Sequence, residues 1–221
     1  MKFRHEYKHR INASDIIQLR ARLAPILKHD EHADEDGIYM VKSLYFDNYM
    51  DKALREKIDG KNKREKFRIR YYGTDISFIR LEKKTKISGL CNKQSAILTE
   101  QECQKIIDGD ISFLLSSNDN LKRELYAKMH YQLLRPKCIV AYSRESFVYP
   151  LGNVRVTIDS DLCSSYKVGD FLNPDCKFTR LNNTSILEVK WDEYLPGIIR
   201  DAVQLKTRNS AAFSKYAVSR I

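Results

Sequence analysis

Glycine and proline are scarce, with 8 and 5 among 221 residues. That excludes a collagen-like chain, a flexible linker and a Pro-rich recognition segment, each of which needs one of the two in quantity. No apolar run approaches the roughly 18 residues of a membrane-spanning helix. The opening Met-Lys-Phe-Arg-His-Glu lacks the apolar stretch of a secretory leader. Five cysteines (Cys91, Cys103, Cys138, Cys163, Cys176) form neither a CxxC pair nor a zinc-ligand spacing, so they read as reduced thiols of a cytoplasmic protein. The expectation is one domain over residues 1–221, without internal repeats and with no direct membrane insertion.

Acidic residues are also in deficit: 29 Asp and Glu against 39 Lys and Arg give a formal net charge of +10. A hydrophobic share of 43% is enough to build a core, so the surplus belongs to a folded protein rather than a basic disordered tail. Excess cation predicts an anionic partner: nucleic acid, an acidic membrane surface or a small polyanion. Composition does not choose among these; the placement of the charges does.

Strands are expected at Lys2–Ile11, Ile38–Phe46, Lys66–Tyr72, Ser77–Lys84, Asn92–Leu98, Cys138–Tyr149, Asn153–Leu162 and Ser185–Trp191. Helices are expected after the capping stretch Asn12-Ala-Ser-Asp15, with Ile16, Ile17, Leu19, Leu23 and Leu27 on one face, and at Tyr49–Ile58. Others follow the Thr99/Glu102 capping box to about Ile107 and run over Asp119–Leu134, Ile198–Leu205 and Ala211–Val218. His29 to Gly37 reads as an acidic loop. About eight strands without a βαβ rhythm predict an α+β fold whose sheet is mainly antiparallel and able to close on itself.

Residues two apart on a strand share a face. Arg68 and Arg70 therefore point together, as do Arg80, Glu82 and Lys84; Tyr142 and Arg144; Arg155, Thr157 and Asp159; and Glu188 and Lys190. For any single strand a solvated outer face would explain this. Two features favour an enclosed surface instead. The opposite faces (Phe67, Ile69; Ile79, Leu81; Val154, Val156, Ile158; Leu187, Val189) are apolar and suited to packing under helices, and the charged faces share one sign, with isolated carboxylates. Like charges crowded together repel, and a polyphosphate chain would relieve them. Glu82 and Glu188, alone among cations, suit Mg²⁺ or Mn²⁺ bridging phosphates better than phosphate itself.

Ser43-Leu-Tyr-Phe-Asp-Asn48, Phe67-Arg-Ile-Arg-Tyr-Tyr-Gly73, Leu81-Glu-Lys-Lys-Thr85, Leu187-Glu-Val-Lys190 and Phe213-Ser-Lys-Tyr216 stand in that order along nearly the whole chain. Together they resemble the catalytic domain of the vacuolar transporter chaperone (VTC) polyphosphate polymerases, members of the triphosphate tunnel metalloenzymes with a CYTH-like fold. The resemblance implies an antiparallel eight-stranded β-barrel tunnel with helices packed outside. It also implies Mn²⁺- or Mg²⁺-dependent transfer of the ATP γ-phosphate onto inorganic polyphosphate. Carried over, Arg68, Arg70, Lys84 and Arg144 hold the reacting triphosphate. Lys8, Lys93, Tyr142, Arg155, Ser214 and Lys215 bind phosphate, joined by Lys190 of the Leu-Glu-Val-Lys stretch. Glu188 is the metal carboxylate and Glu82 accompanies it.

Two departures stand out: Ala212 occupies a position where the family can carry a lysine, and a frequent opening Glu-x-Glu-x-Lys is here Arg4-His-Glu6-Tyr-Lys8. The second departure weighs against a two-metal triphosphatase. A triphosphatase of the same fold using water, and a non-catalytic polyphosphate-binding module, are the rival readings. No nucleic-acid partner is expected, because the 13 Tyr and 9 Phe mostly alternate as core residues rather than forming an exposed stacking platform. Tyr45 and Asp47 are assigned to turn formation, and the His29–His32 pair to solvent.

Overall fold

The computed structural model describes residues 4–30, 37–181, 184–205 and 212–221. Among the described residues there are ten strands: β1 (His5–Ile11), β2 (Lys28–His29), β3 (Ile38–Asp47), β4 (Arg64–Tyr72), β5 (Asp75–Ile87), β6 (Leu90–Leu98), β7 (Arg135–Tyr149), β8 (Val154–Ser165), β9 (Thr179–Arg180) and β10 (Ser185–Trp191). The helices are α1 (Ala13–Leu23), α2 (Lys52–Ile58), α3 (Glu100–Asp108), α4 (Ser112–Leu115), α5 (Asn120–Tyr131), α6 (Gly197–Val203) and α7 (Lys215–Val218). Eight strands follow the hydrogen-bonded order β1-β10-β8-β7-β3-β4-β5-β6, while β2 and β9 are two-residue additions to β7 and β8. The α+β class and the antiparallel eight-strand sheet are as the sequence leads one to expect.

The described residues form two compact units: residues 1–40, 142–162 and 181–213, and residues 41–141, 163–180 and 214–221. In the first, β10 lies between β1 and β8, antiparallel to both. Its apolar core joins Val156, Ile158, Leu187 and Val189 of the sheet to Leu19 and Leu23 of α1 and Ile199 of α6. Asn12 caps α1 through the amide of Asp15, whose carboxylate returns the bond to the Asn12 amide. Ile17, expected on the buried face, is 69% exposed, and Asp15 is buried instead. The capping box fixes the rotation of the helix and turns Asp15 inward.

The second unit is built on the antiparallel meander β3–β4–β5–β6. Ser88 and Gly89, at φ 47° and 88°, make the tight β5–β6 turn. Such left-handed pairs match the twist of a two-residue hairpin. Phe67, Ile69, Ile79, Leu81 and Leu98 face Cys103 and Ile106 of α3, Leu114 of α4, and Leu121, Leu125 and Met129 of α5. Truncating one such side chain to alanine removes about 2–5 kcal/mol. The expected Thr99/Glu102 box starts α3, and Asp119, expected as the first residue of its helix, instead caps α5. Helix α4 was not anticipated. α5 stops at Tyr131, short of the expected Leu134, and α7 is a single turn. Lys2, residues 31–36 of the expected loop (His32 among them) and Ala211 lie outside the described residues.

Candidate functional site

With the apolar face of each sheet segment turned to the helices, the alternating polar side chains are left on the other face. In the second unit the register places Ser43 opposite Arg70, Tyr45 opposite Arg68, Arg68 opposite Glu82, and Glu82 opposite Ser95. The face expected from Arg68, Arg70, Glu82 and Lys84 is therefore real, and β3 extends it.

Glu82 is its electrostatic centre. It is only 1% exposed. Arg68 donates from Nε to Oε2 at 2.7 Å and places Nη2 2.6 Å from the same oxygen, while Lys93 Nζ reaches Oε1 at 2.8 Å. Burial alone would raise the Glu82 carboxyl, but Arg68, Arg70 and Lys93 hold it well below the usual carboxylate range. Arg70, also buried, donates from Nε to the Ser43 hydroxyl at 2.9 Å. Next to this group Lys66 lies opposite Lys84, and Lys84 opposite Lys93, a row of three lysines across β4, β5 and β6. Arg70 likewise opposes Arg80. Directly opposed like charges are destabilising in a sheet.

In the first unit the centre is Glu188, 5% exposed. Lys8 and Thr157 flank it on the neighbouring strands. Lys8 Nζ lies 3.2 Å from Oε1; Lys190 Nζ and Arg144 Nη2 lie 2.9 and 3.8 Å from Oε2. The Lys8 ammonium also reaches Glu6 Oε1 at 3.0 Å. Burial by itself would lower Lys8, but Glu188 and Glu6 carry it above the ordinary lysine range. Arg144 grips Asp159 with Nε and Nη2 at 2.7 and 2.8 Å and lies over the Tyr142 ring at 5.3 Å. Arg155 is held by Asp30 at 2.9 Å.

Ser214 and Lys215 belong to the second unit. The Ser214 hydroxyl caps α7 by accepting from the Ala217 amide at 3.3 Å, and Lys215 opens that helix, half-buried. Each unit thus gathers its own share of the expected residues around a buried glutamate: Arg68, Arg70, Lys84 and Lys93 about Glu82, and Lys8, Arg144 and Lys190 about Glu188.

Several participants were not singled out from sequence. Tyr45 is not a turn residue. It sits inside β3, 2% exposed, and its hydroxyl accepts from Arg68 Nη1 at 3.2 Å. The period-2 run Ser43, Tyr45, Asp47 carried the signal. Asp47 does shape the turn into α2, accepting from the amides of Asn48, Ala53 and Leu54, and it also takes the Tyr216 hydroxyl at 2.7 Å. Glu6, named from sequence only within the altered opening motif, joins Glu188 through the shared Lys8 ammonium.

The residues fit a hard divalent cation best at Glu188. Glu6 and Glu188 converge on one cation position, and the buried Thr157 hydroxyl opposite Glu188 has no hydrogen-bond partner. Among the described residues no group of three or more His, Cys, Asp or Glu comes together. That is compatible with Mg²⁺-type sites, which use one or two carboxylates and complete their shell with water and phosphate.

The model of the VTC domain family matches residues 3–220. No curated protein matches the chain. Among solved structures, a proposed adenylate cyclase from Bacillus halodurans is similar at 15% identity, with 86% of this chain and 80% of that chain covered and a TM-score of 0.51. The PH1012 protein from Pyrococcus horikoshii is similar at 12% identity, covering 97% and 98%, also at a TM-score of 0.51. At such identities the likeness is one of fold.

Proposed function

The chain belongs to the VTC domain family, and from that premise we propose that it is a divalent-metal-dependent phosphotransferase that moves the γ-phosphate of ATP onto a growing polyphosphate chain. Membership of the family supports a function on triphosphate or polyphosphate in general. The observation that carries the reading further is the surplus of opposed cations around each buried glutamate. The three lysines of β4, β5 and β6 stand opposite one another in register, a concentration of positive charge that a chain of phosphates neutralises.

Arg68, Arg70, Lys84 and Lys93 in one unit, and Lys8, Arg144 and Lys190 in the other, act as the phosphate-holding cations. Tyr142, Arg155, Ser214 and Lys215 are their auxiliaries. Phosphoryl transfer depends on positioning and charge neutralisation more than on covalent chemistry. An ionised terminal phosphate needs no general base, so the residues are asked only to orient it in line and neutralise it. Glu188, with Glu6 and Thr157 beside it, would hold Mn²⁺ or Mg²⁺, which when bound neutralises charge on phosphate oxygens. Glu82, both of whose oxygens already hold cations, serves as the counter-charge that keeps Arg68 and Lys93 in place.

Glu6 favours a second reading, a triphosphatase, because it adds a carboxylate beside Glu188 for ordering water. Purified protein incubated with ATP and Mn²⁺, with products resolved by chain length on a gel, decides. Lengthening chains support the polymerase, free phosphate alone supports the triphosphatase, and absence of turnover leaves a phosphate-binding module.

A further inference from the structure

Arg68 is held on two sides. Glu82 takes its Nε and Nη2, and Tyr45 takes Nη1 from the opposing position on β3. We propose that Tyr45 is a proton-carrying counter-ion of this cluster: as phenolate it holds Arg68 when no phosphate is bound, and it takes up one proton when phosphate oxygens reach Arg68. The proposal rests on the reading of Arg68 as a phosphate ligand, and it adds a positioning residue with a measurable proton balance.

The surroundings of the phenol are unusually one-signed. From β4, Lys66 lies over its ring at 5.5 Å, Arg68 at 5.9 Å, and Arg70 stands two residues further on. The nearby carboxylate of β5, Glu82, is committed to Arg68 and Lys93. On its own strand, Asp47 is committed to three amides and to Tyr216. From α7 the Tyr216 ring packs at 5.3 Å, with its hydroxyl turned to Asp47 and met by Arg220 at 2.9 Å.

The two neighbouring tyrosines are therefore biased in opposite directions. Burial and the Asp47 carboxylate push the Tyr216 phenol up. Burial also opposes ionisation of Tyr45, but Arg68, Lys66 and Arg70 outweigh it and bring that phenol down to about 7. Phosphate bound to the same three cations removes the attraction that stabilises the phenolate and adds repulsion. The phenolate then accepts a proton from solvent, becoming a neutral phenol. No other bond changes.

The test uses the full chain, sodium tripolyphosphate and chelator-treated buffer at about pH 8, one unit above the phenol's value, where phenolate predominates. The phenolate ultraviolet band is followed during titration, and calorimetry in buffers of different ionisation enthalpy counts protons. The wild type should lose phenolate absorption on binding and take up close to one proton. Tyr45→Phe should bind with no band change, whereas Tyr72→Phe, which removes the other phenol lowered by Arg70, should retain it. Relative to Tyr45→Phe, wild-type affinity should fall about tenfold per pH unit above pH 7. Binding by the wild type without loss of the band, or a band lost only in Tyr72→Phe, overturns the role of Tyr45. Failure of the wild type to bind tripolyphosphate at all removes the phosphate reading beneath it.

Discussion

Lys8 and Glu188 stand opposite each other across the β1–β10 ladder, Nζ 3.2 Å from Oε1, and the same ammonium reaches back to Glu6 on its own strand at 3.0 Å. A single cation thus bridges two carboxylates of the first unit. Replacing that ammonium by a divalent ion would preserve the electrostatic logic and free Lys8 to meet phosphate.

Glu188→Gln keeps the size of the side chain and removes its charge. Metal-dependent turnover should vanish while the circular-dichroism spectrum stays unchanged. Tripolyphosphate should bind at least as tightly, because Lys8 and Lys190 lose their counter-ion. Undiminished turnover at limiting Mn²⁺ would rule Glu188 out as the principal metal ligand.

Arg70→Lys retains the charge but loses the planar fork, and a lysine amine cannot hold Ser43 and a phosphate oxygen along the same two directions. Turnover should fall about tenfold or more, equivalent to roughly 1.4 kcal/mol of transition-state stabilisation. Lys105→Ala is the control. That side chain is 54% exposed on α3 and lies 4.0 Å from Asp110. At constant ionic strength its loss should leave the rate nearly unchanged. The reverse pattern would point to long-range attraction in place of a gripping contact.

Arg144 and Asp159 form a buried bidentate pair. Asp159→Ala takes away the carboxylate closest to the buried guanidinium, leaving Glu188 at 3.8 Å, and should destabilise the chain by about 3–5 kcal/mol in urea denaturation. The double variant Arg144→Met with Asp159→Ala should recover a good part of that loss. A single variant as stable as the wild type would show that Arg144 finds full compensation elsewhere.

The depressed Glu82 carboxyl sets the sign of an acid limb. Its folded-state value lies below the unfolded one, so its contribution to stability is complete above the unfolded value of about 4.3 and disappears as pH falls through the folded value. The stability difference between wild type and Glu82→Gln should be constant from neutral pH down to about 4.3 and shrink below it. Denaturant midpoints across that range check it, and a gap that widens on acidification would contradict the pairing.

The alternation Lys66-Phe-Arg-Ile-Arg70 settled by itself that Arg68 and Arg70 share a face and that Phe67 and Ile69 turn to the helices, because the strand's two-residue period is a property of the local backbone. Thr99 with Glu102, and Asn12 with Asp15, likewise marked where helices start, since capping is completed within four residues. Ordered motifs spread over nearly the whole chain were enough to place it in its family. What no local pattern could reveal is which cation each carboxylate meets. Glu188 finds Lys8 only because β10, almost at the end of the chain, pairs with β1 at its beginning. Tyr45 changes from a turn residue into the partner of Arg68 only when β3 aligns with β4 in one register out of many. Register between strands is set by packing the whole apolar face at once, and the buried charges take their partners from that outcome.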